Sequence, residues 1–211
     1  MQGISRREFL GGMGALTLQQ HGLTFVALSS GDIHMDPALE ADDLALHTRN
    51  AKFLRDAGGL YLQIIDKPPK DRSITQADYK HFAQLLAEVG KRVADVGTPQ
   101  GYHNQMNTLS ESPENLDRIL DAADPRHVKL ELDVAHYLEG GGDPVKAIDK
   151  YHDRLLFLHL KDVRDANPEG TRGAPDQLGG ARSRQSRFAR RHCGAREKQI
   201  PRLGGTGSRS G

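Results

Sequence analysis

From residue 23 onward the chain alternates between short apolar runs and longer stretches of helical spacing, and this alternation limits what it can fold into more than any other feature. Leu23-Thr24-Phe25-Val26-Ala27-Leu28 reads as a strand closed by Ser29-Ser30-Gly31. Residues 37–57 have helical spacing, with Pro37 suited to a first turn and Gly58-Gly59 as the stop. A second strand follows at Leu60-Tyr61-Leu62-Gln63-Ile64-Ile65, ended by Pro68-Pro69. Ser73 is placed to cap a helix reaching about Val96, with Gln76 at the position a capping box uses. Gly101 to Met106 is a weaker strand, Ser112-Pro113-Glu114 opens a helix to Ala123, and Asp124-Pro125 ends it. Val128 to Val134 is a strand, Asp143-Pro144 starts a helix, and Leu155 to Leu160 is the last strand. Five strands separated by four crossover-length helical stretches imply an α/β fold with a parallel sheet. Periodicity alone does not separate an open doubly wound sheet from a barrel, although no Gly-x-Gly-x-x-Gly turn follows any strand.

Charge divides the chain into segments. The formal net charge is only +1, yet residues 171–211 hold ten Lys and Arg against two Asp and Glu. That tail carries about +8 and the rest about −7. Residues 167–211 lack either apolar period and are expected to be disordered, because they cannot bury enough surface to offset ordering entropy. Their Arg- and Gly-rich composition also matches GC-rich DNA read out of frame. Nucleic acid is the less favoured partner for this segment. At the other end, Ser5-Arg6-Arg7-Glu8-Phe9-Leu10 before a weakly apolar stretch resembles a twin-arginine export signal over residues 1–20. Export to the periplasm is the expectation if that signal works, and a cytoplasmic location otherwise. The single cysteine, Cys193, excludes an intramolecular disulfide and a Cys-rich zinc site. No apolar run reaches the roughly 18 residues that a membrane-spanning helix requires. This leaves residues 21–166 as the folded domain.

Polar residues at the carboxyl ends of the expected strands carry the chemistry. Asp133 ends Val128-Lys129-Leu130-Glu131-Leu132, and His136 follows three residues later. His159 lies late in the last strand with Lys161 just beyond, and His103 sits in Tyr102-His103-Asn104-Gln105. In a parallel α/β layout these ends converge on one face, where such folds place ligands. Imidazole nitrogen combined with carboxylate oxygen suits Mn, Co, Fe or Zn and is poor for Ca. His21, His34, His47, His81, His127, His152 and His192 are expected at the surface. Lys129 and Glu131 share parity with Asp133 and are expected to form an ion pair inside the sheet's concave face.

Leu130-Glu131-Leu132-Asp133-Val134-Ala135-His136, Gly140-Gly141-Gly142-Asp143-Pro144 and Leu158-His159-Leu160-Lys161-Asp162-Val163, in that order, resemble the xylose isomerase-like superfamily. The likeness is nearest its inosose dehydratase and sugar phosphate isomerase/epimerase branches and covers roughly residues 22–165. It implies an incomplete (β/α)8 TIM barrel whose five strands correspond to numbers three to seven. It also implies one divalent cation (Mn, Co, Mg or Zn) above the barrel, and proton movement next to a carbonyl of a sugar, sugar phosphate or cyclitol. On the matching positions, Asp133, His159 and His103 are the implied metal ligands. His136 is the implied catalytic and substrate-binding residue, and Lys161 is a substrate contact. The sequence departs from the pattern where strands one, two and eight belong, so impaired turnover is expected, with a binding-only barrel fragment as the alternative. An open arc leaves two unpaired strand edges, which favour association with a partner or a second copy.

Overall fold

The computed structural model describes residues 17–161 apart from Gln19 and Lys70. The signal-like segment 1–20 therefore lies mostly, and the tail 167–211 wholly, outside the described residues. The described strands are β1 (Ala27–His34), β2 (Tyr61–Lys67), β3 (Gln100–His103), β4 (Lys129–Asp133) and β5 (Leu155–His159). They form one sheet in the order β1-β2-β3-β4-β5 with every pairing parallel. The helices are α1 (Glu40–Asp56), α2 (Gln76–Asp95), α3 (Pro113–Ala122), α4 (Val134–Glu139) and α5 (Pro144–Tyr151), with 3-10 turns at Pro37–Leu39 and Leu109–Glu111.

Side-chain alternation sorts the two faces of this sheet. Leu62, Ile64, Tyr102, Leu130 and Leu132 are fully buried in one core cluster with Leu54, Phe82, Leu86, Leu116 and Ile119 of the helices. The opposite face carries Tyr61, Gln63, Glu131 and Phe157. Here the Tyr61 and Phe157 rings lie 5.4 Å apart although they belong to β2 and β5. Three strand spacings on a flat sheet would separate them by about 14 Å, so the sheet curls tightly, as a barrel wall does. Gly101 of β3 permits the curl, since a Cβ there would stand 3.1 Å from the Tyr61 ring and 3.4 Å from the Glu131 Cβ. Over this gap the Gln63 side-chain amide donates to Glu131 Oε1 at 3.0 Å. Among the described residues no ion pair joins Lys129 to Glu131. The shared parity is real, but Gln63 occupies the carboxylate instead.

Of the element boundaries that differ from the sequence expectation, three have a direct physical reason. β1 does not close at Ser29-Ser30-Gly31 but runs through it to His34. A bulge between Ser29 and Asp32, with Gly31 at φ +93°, takes up an extra residue before pairing resumes at Asp32 with Ile65. His47, expected at the surface, is fully buried behind this bulge. Its Nδ1 accepts from the Ser30 hydroxyl at 2.7 Å and its Nε2–H donates to the Asp32 carbonyl at 3.1 Å. Burial lowers the His47 pKa, in keeping with that neutral ring.

The cap of α2 is Thr75 with Asp78, not Ser73 with Gln76. A carboxylate at Asp78 gains more from the helix amino terminus than an amide would, and Arg72 holds it from outside at 2.8 and 2.9 Å. Finally, β4 stops at Asp133 because that side chain caps α4, a six-residue helix too short to show in the periodicity.

Gly90 of α2 supplies a test of this packing. Alanine in a helix interior ordinarily gains about 1 kcal/mol over glycine. Here a Cβ would stand 2.2 Å from the backbone oxygen of His127. Gly90→Ala is expected to destabilise the fold by about 1–3 kcal/mol, lowering Tm by several degrees in a thermal melt.

Candidate metal centre

His103, Asp133 and His159 are the last residues of β3, β4 and β5. The register sets His103 beside Glu131 and Asp133 directly beside His159. Neighbouring residues in register share a face, so all three side chains rise on the concave side at the carboxyl rim. The five residues singled out in the sequence come together there. Asp133 is fully buried, His103 and His136 nearly so, and His159 and Lys161 are partly exposed.

Three of their atoms form a nearly regular triangle. His103 Nε2 lies 3.1 Å from His159 Nδ1 and 3.4 Å from Asp133 Oδ2, and His159 Nδ1 lies 3.2 Å from that same oxygen. Ligands about 2.1 Å from a tetrahedral or octahedral ion stand about 3.4 or 3.0 Å apart. The triangle matches one face of either polyhedron without rearrangement. The three residues are also the one group of His, Cys, Asp or Glu among the described residues with ligand atoms gathered closely enough to hold an ion.

The electrostatics favour a cation in that position. Asp133 Oδ1 accepts the N–H groups of Ala135 and His136, each at 3.0 Å, which fixes the carboxylate plane. Oδ2 is buried and accepts no well-aligned hydrogen bond, although Lys161 Nζ approaches to 2.6 Å and His136 Nε2 to 3.7 Å. Burial pushes the Asp133 carboxyl up, but His103, Lys161 and the His136 N–H together outweigh it and hold the acid well below the usual carboxylate range. Burial, followed by the Lys161 charge, lowers the His159 pKa. Burial also lowers that of His136, against the raising influence of Asp133. Neutral imidazoles beside an ionised carboxylate are the protonation states that metal binding requires.

The sequence model of the family described as xylose isomerase-like TIM barrel matches residues 16–189. The chain belongs to that family. An inosose dehydratase of Geobacillus kaustophilus is 28% identical over 160 residues, covering 70% of this chain and 52% of the relative. An inosose dehydratase of Lacticaseibacillus casei is 31% identical over 123 residues, covering 56% of this chain and 41% of that protein. The chain thus spans about half the length of the relatives it matches. Among solved structures, a sugar phosphate isomerase/epimerase from Parabacteroides distasonis superposes with a TM-score of 0.59 at 19% identity, covering 84% of this chain and 71% of that one. The IOLI protein with a bound zinc atom superposes at 0.63 and 15% identity, covering 74% of this chain and 58% of its own. These likenesses establish the family fold for the five-strand arc.

The sequence reading passed over Asn104, which turns out to organise the centre. The residue is fully buried just past the end of β3. Its Oδ1 accepts the Asp133 N–H at 2.8 Å and its Nδ2 donates to the Asp133 carbonyl at 3.1 Å. The amide thereby continues the β3–β4 ladder one step beyond the strand and holds the backbone of Asp133. Asp66 of β2 does comparable work for the following loop, accepting from Tyr102 Oη at 2.6 Å, Leu109 N–H at 2.6 Å and Ser110 Oγ at 3.1 Å. A buried asparagine beside a histidine is the signal that could have marked Asn104, since its amide has to be satisfied.

Asn104→Ala leaves a buried N–H and a buried carbonyl of Asp133 without partners, a cost of about 1–3 kcal/mol. The variant is expected to bind Zn or Mn about 10–100-fold more weakly by calorimetry. Gln100→Ala, which removes a buried amide bonded to Leu86 O away from the centre, serves as the stability-matched control. It should lower Tm comparably and leave metal affinity unchanged.

Proposed function

We propose that this chain is a divalent-metal-dependent enzyme of the sugar isomerase, epimerase or dehydratase kind, acting on a sugar or cyclitol through an enediolate. The observation that carries this reading is the triangle of His103 Nε2, His159 Nδ1 and Asp133 Oδ2 with edges of 3.1–3.4 Å. Relatives named inosose dehydratase support a cyclitol or sugar ketone as the substrate class. An epimerase of 3-keto-D-glucoside from E. coli has the same fold, with a TM-score of 0.59 at 18% identity.

His103, Asp133 and His159 would hold the cation, whose Lewis acidity stabilises negative charge developing on substrate oxygens. The remaining steps belong to side chains at the rim. His136, kept neutral chiefly by its burial, presents Nε2 3.2 Å from Lys161 Nζ. That imidazole is the group placed to accept the proton from the carbon next to the carbonyl. Lys161 is a donor and a positive charge for the resulting oxyanion. Returning the proton to the neighbouring carbon isomerises, returning it to the opposite face epimerises, and expelling a β-hydroxyl dehydrates.

A binding-only barrel is the second reading. The observation behind it is Lys161 Nζ at 2.6 Å from Asp133 Oδ2, a built-in cation on the very oxygen that a metal needs. Calorimetric titration with Mn and turnover of 2-keto-myo-inositol and a panel of aldoses and ketoses separate the two. The enzyme reading expects one Mn per chain, loss of roughly 100-fold or more in Mn affinity in Asp133→Asn, and metal-dependent turnover abolished in His136→Ala. Stoichiometric Mn binding without turnover of any of these compounds would leave the binding-only barrel. Failure to bind Mn, Co or Zn at all would sink the enzyme reading and leave Lys161 as the cation of this centre.

A further inference from the structure

A second cluster of polar groups sits on the same rim, at the end of β1. His34 is the last residue of that strand, with its side chain about one-third exposed. Asp43, in the first turn of α1 and nearly fully buried, grips it twice. Asp43 Oδ2 accepts the His34 backbone N–H at 2.7 Å, and Oδ1 accepts the ring Nδ1–H at 3.0 Å. A carboxylate is acceptor-only, so the neutral ring keeps its proton on Nδ1 and its lone pair on Nε2. Among the described residues Nε2 has no partner. Behind the pair, His47, Ser30 and Asn50 form a hydrogen-bonded chain that braces the β1 bulge. Several polar side chains are thus buried to aim one imidazole outward.

That imidazole lines a cleft of about 430 Å³ between the loops following β1 and β2. Pro37, Pro68 and Pro69 contribute to its walls, and proline's fixed φ keeps such a wall rigid. The two basic residues among the described lining are already paired. Lys67 Nζ lies 3.1 Å from Asp32 Oδ2, and Arg72 forms its two-pronged pair with Asp78. Among the described residues no unpaired positive charge lines the cleft, and Asp36 and Asp71 in the lining would oppose a phosphate. The free acceptor on His34 suits an uncharged hydroxyl. β1 and β3 deliver their last residues, His34 and His103, to the same rim, with β2 between them.

We propose that His34, aimed by Asp43, binds an uncharged hydroxyl at the end of the substrate remote from the metal centre. The inference rests on the sugar or cyclitol reading above and names the group that recognises the far end of the molecule. His34 acts by contact with substrate, and Asp43 is a positioning residue acting through it.

Nitrogen-15 NMR of the His34 ring in the full chain, assigned by the signal lost in His34→Ala, tests this directly. At neutral ring charge the spectrum should show the Nδ1–H tautomer. Titration with 2-keto-myo-inositol in the presence of Mn should shift Nε2, whereas inorganic phosphate without Mn should leave it in place. By calorimetry, His34→Ala should weaken 2-keto-myo-inositol about 5–30-fold, the worth of one hydrogen bond of about 1–2 kcal/mol, with Mn affinity unchanged. Asp43→Asn should weaken it comparably with a mixed tautomer. Because Asp43 is buried, a poorly folded Asp43→Asn leaves the decision to His34→Ala. Wild-type binding of 2-keto-myo-inositol that His34→Ala does not alter would overturn this inference and leave the proposed function standing. A phosphate-induced shift of Nε2 would overturn the uncharged-hydroxyl assignment. A Mn-loaded wild type that binds no 2-keto-myo-inositol and turns over no sugar would take down the functional reading and this inference with it.

Discussion

The two oxygens of Asp133 divide the labour on which the functional face depends. Oδ1 caps α4 through two backbone N–H groups, and Oδ2 meets the imidazoles of His103 and His159. One oxygen is thus spent on folding and the other is left for chemistry. Because the first bond pair immobilises the carboxylate plane, the second oxygen is held in place before any ligand arrives, which is what preorganisation means at the scale of one side chain. Asn104 extends the same principle to the backbone. Its amide replaces the ladder partner that β3 no longer supplies, so the ligand is fixed at both its main chain and its side chain.

The concave face below the centre has a different character. Glu131 is nearly fully buried and receives an amide from Gln63, while the Tyr61 and Phe157 rings meet across the arc. A carboxylate buried there disfavours its own charge unless it is hydrogen-bonded, and Gln63 provides part of that compensation. Burial, then the nearby Glu131 charge, pushes the Tyr61 hydroxyl far above its ordinary pKa, so it stays a protonated donor. Only one Glu131 oxygen is compensated by Gln63, for Oε2 is buried without a hydrogen-bond partner among the described residues.

Much of this was legible from the residues, and the limits of legibility have physical causes. Short apolar runs alternating with crossover-length helical stretches announced a parallel sheet, and strand-end placement brought out His103, Asp133 and His159 because parallel strands deliver their last residues to one rim. The cap at Thr75 and Asp78 escaped because Ser73 and Gln76 offer the same spacing two residues earlier, and only Arg72 and the charge on Asp78 break the tie. His47 was read as exposed because a lone histidine on a polar helix carries no mark of burial. Its partners, Ser30 and the Asp32 carbonyl, are 17 and 15 residues away and come near only through the bulge. Asn104 and the His34–Asp43 pair escaped for a like reason: their meaning lies in contacts between elements.

The bulge in β1 has a consequence for how this stretch of the gene can vary. Before it, odd-numbered residues such as Ser29 share the concave face with Gln63; after it, even-numbered Asp32 and His34 pair in register with Ile65 and Lys67. The added residue therefore inverts the parity of the strand's last third. Loss of the single codon at Gly31 would remove the extra residue and leave a regular strand, in which Asp32 still pairs with Ile65 and His34 with Lys67, so each keeps its face while the bulge itself disappears. What such a deletion puts at risk is local, namely the bonds from His47 to Ser30 and to the Asp32 carbonyl that the bulge brings together.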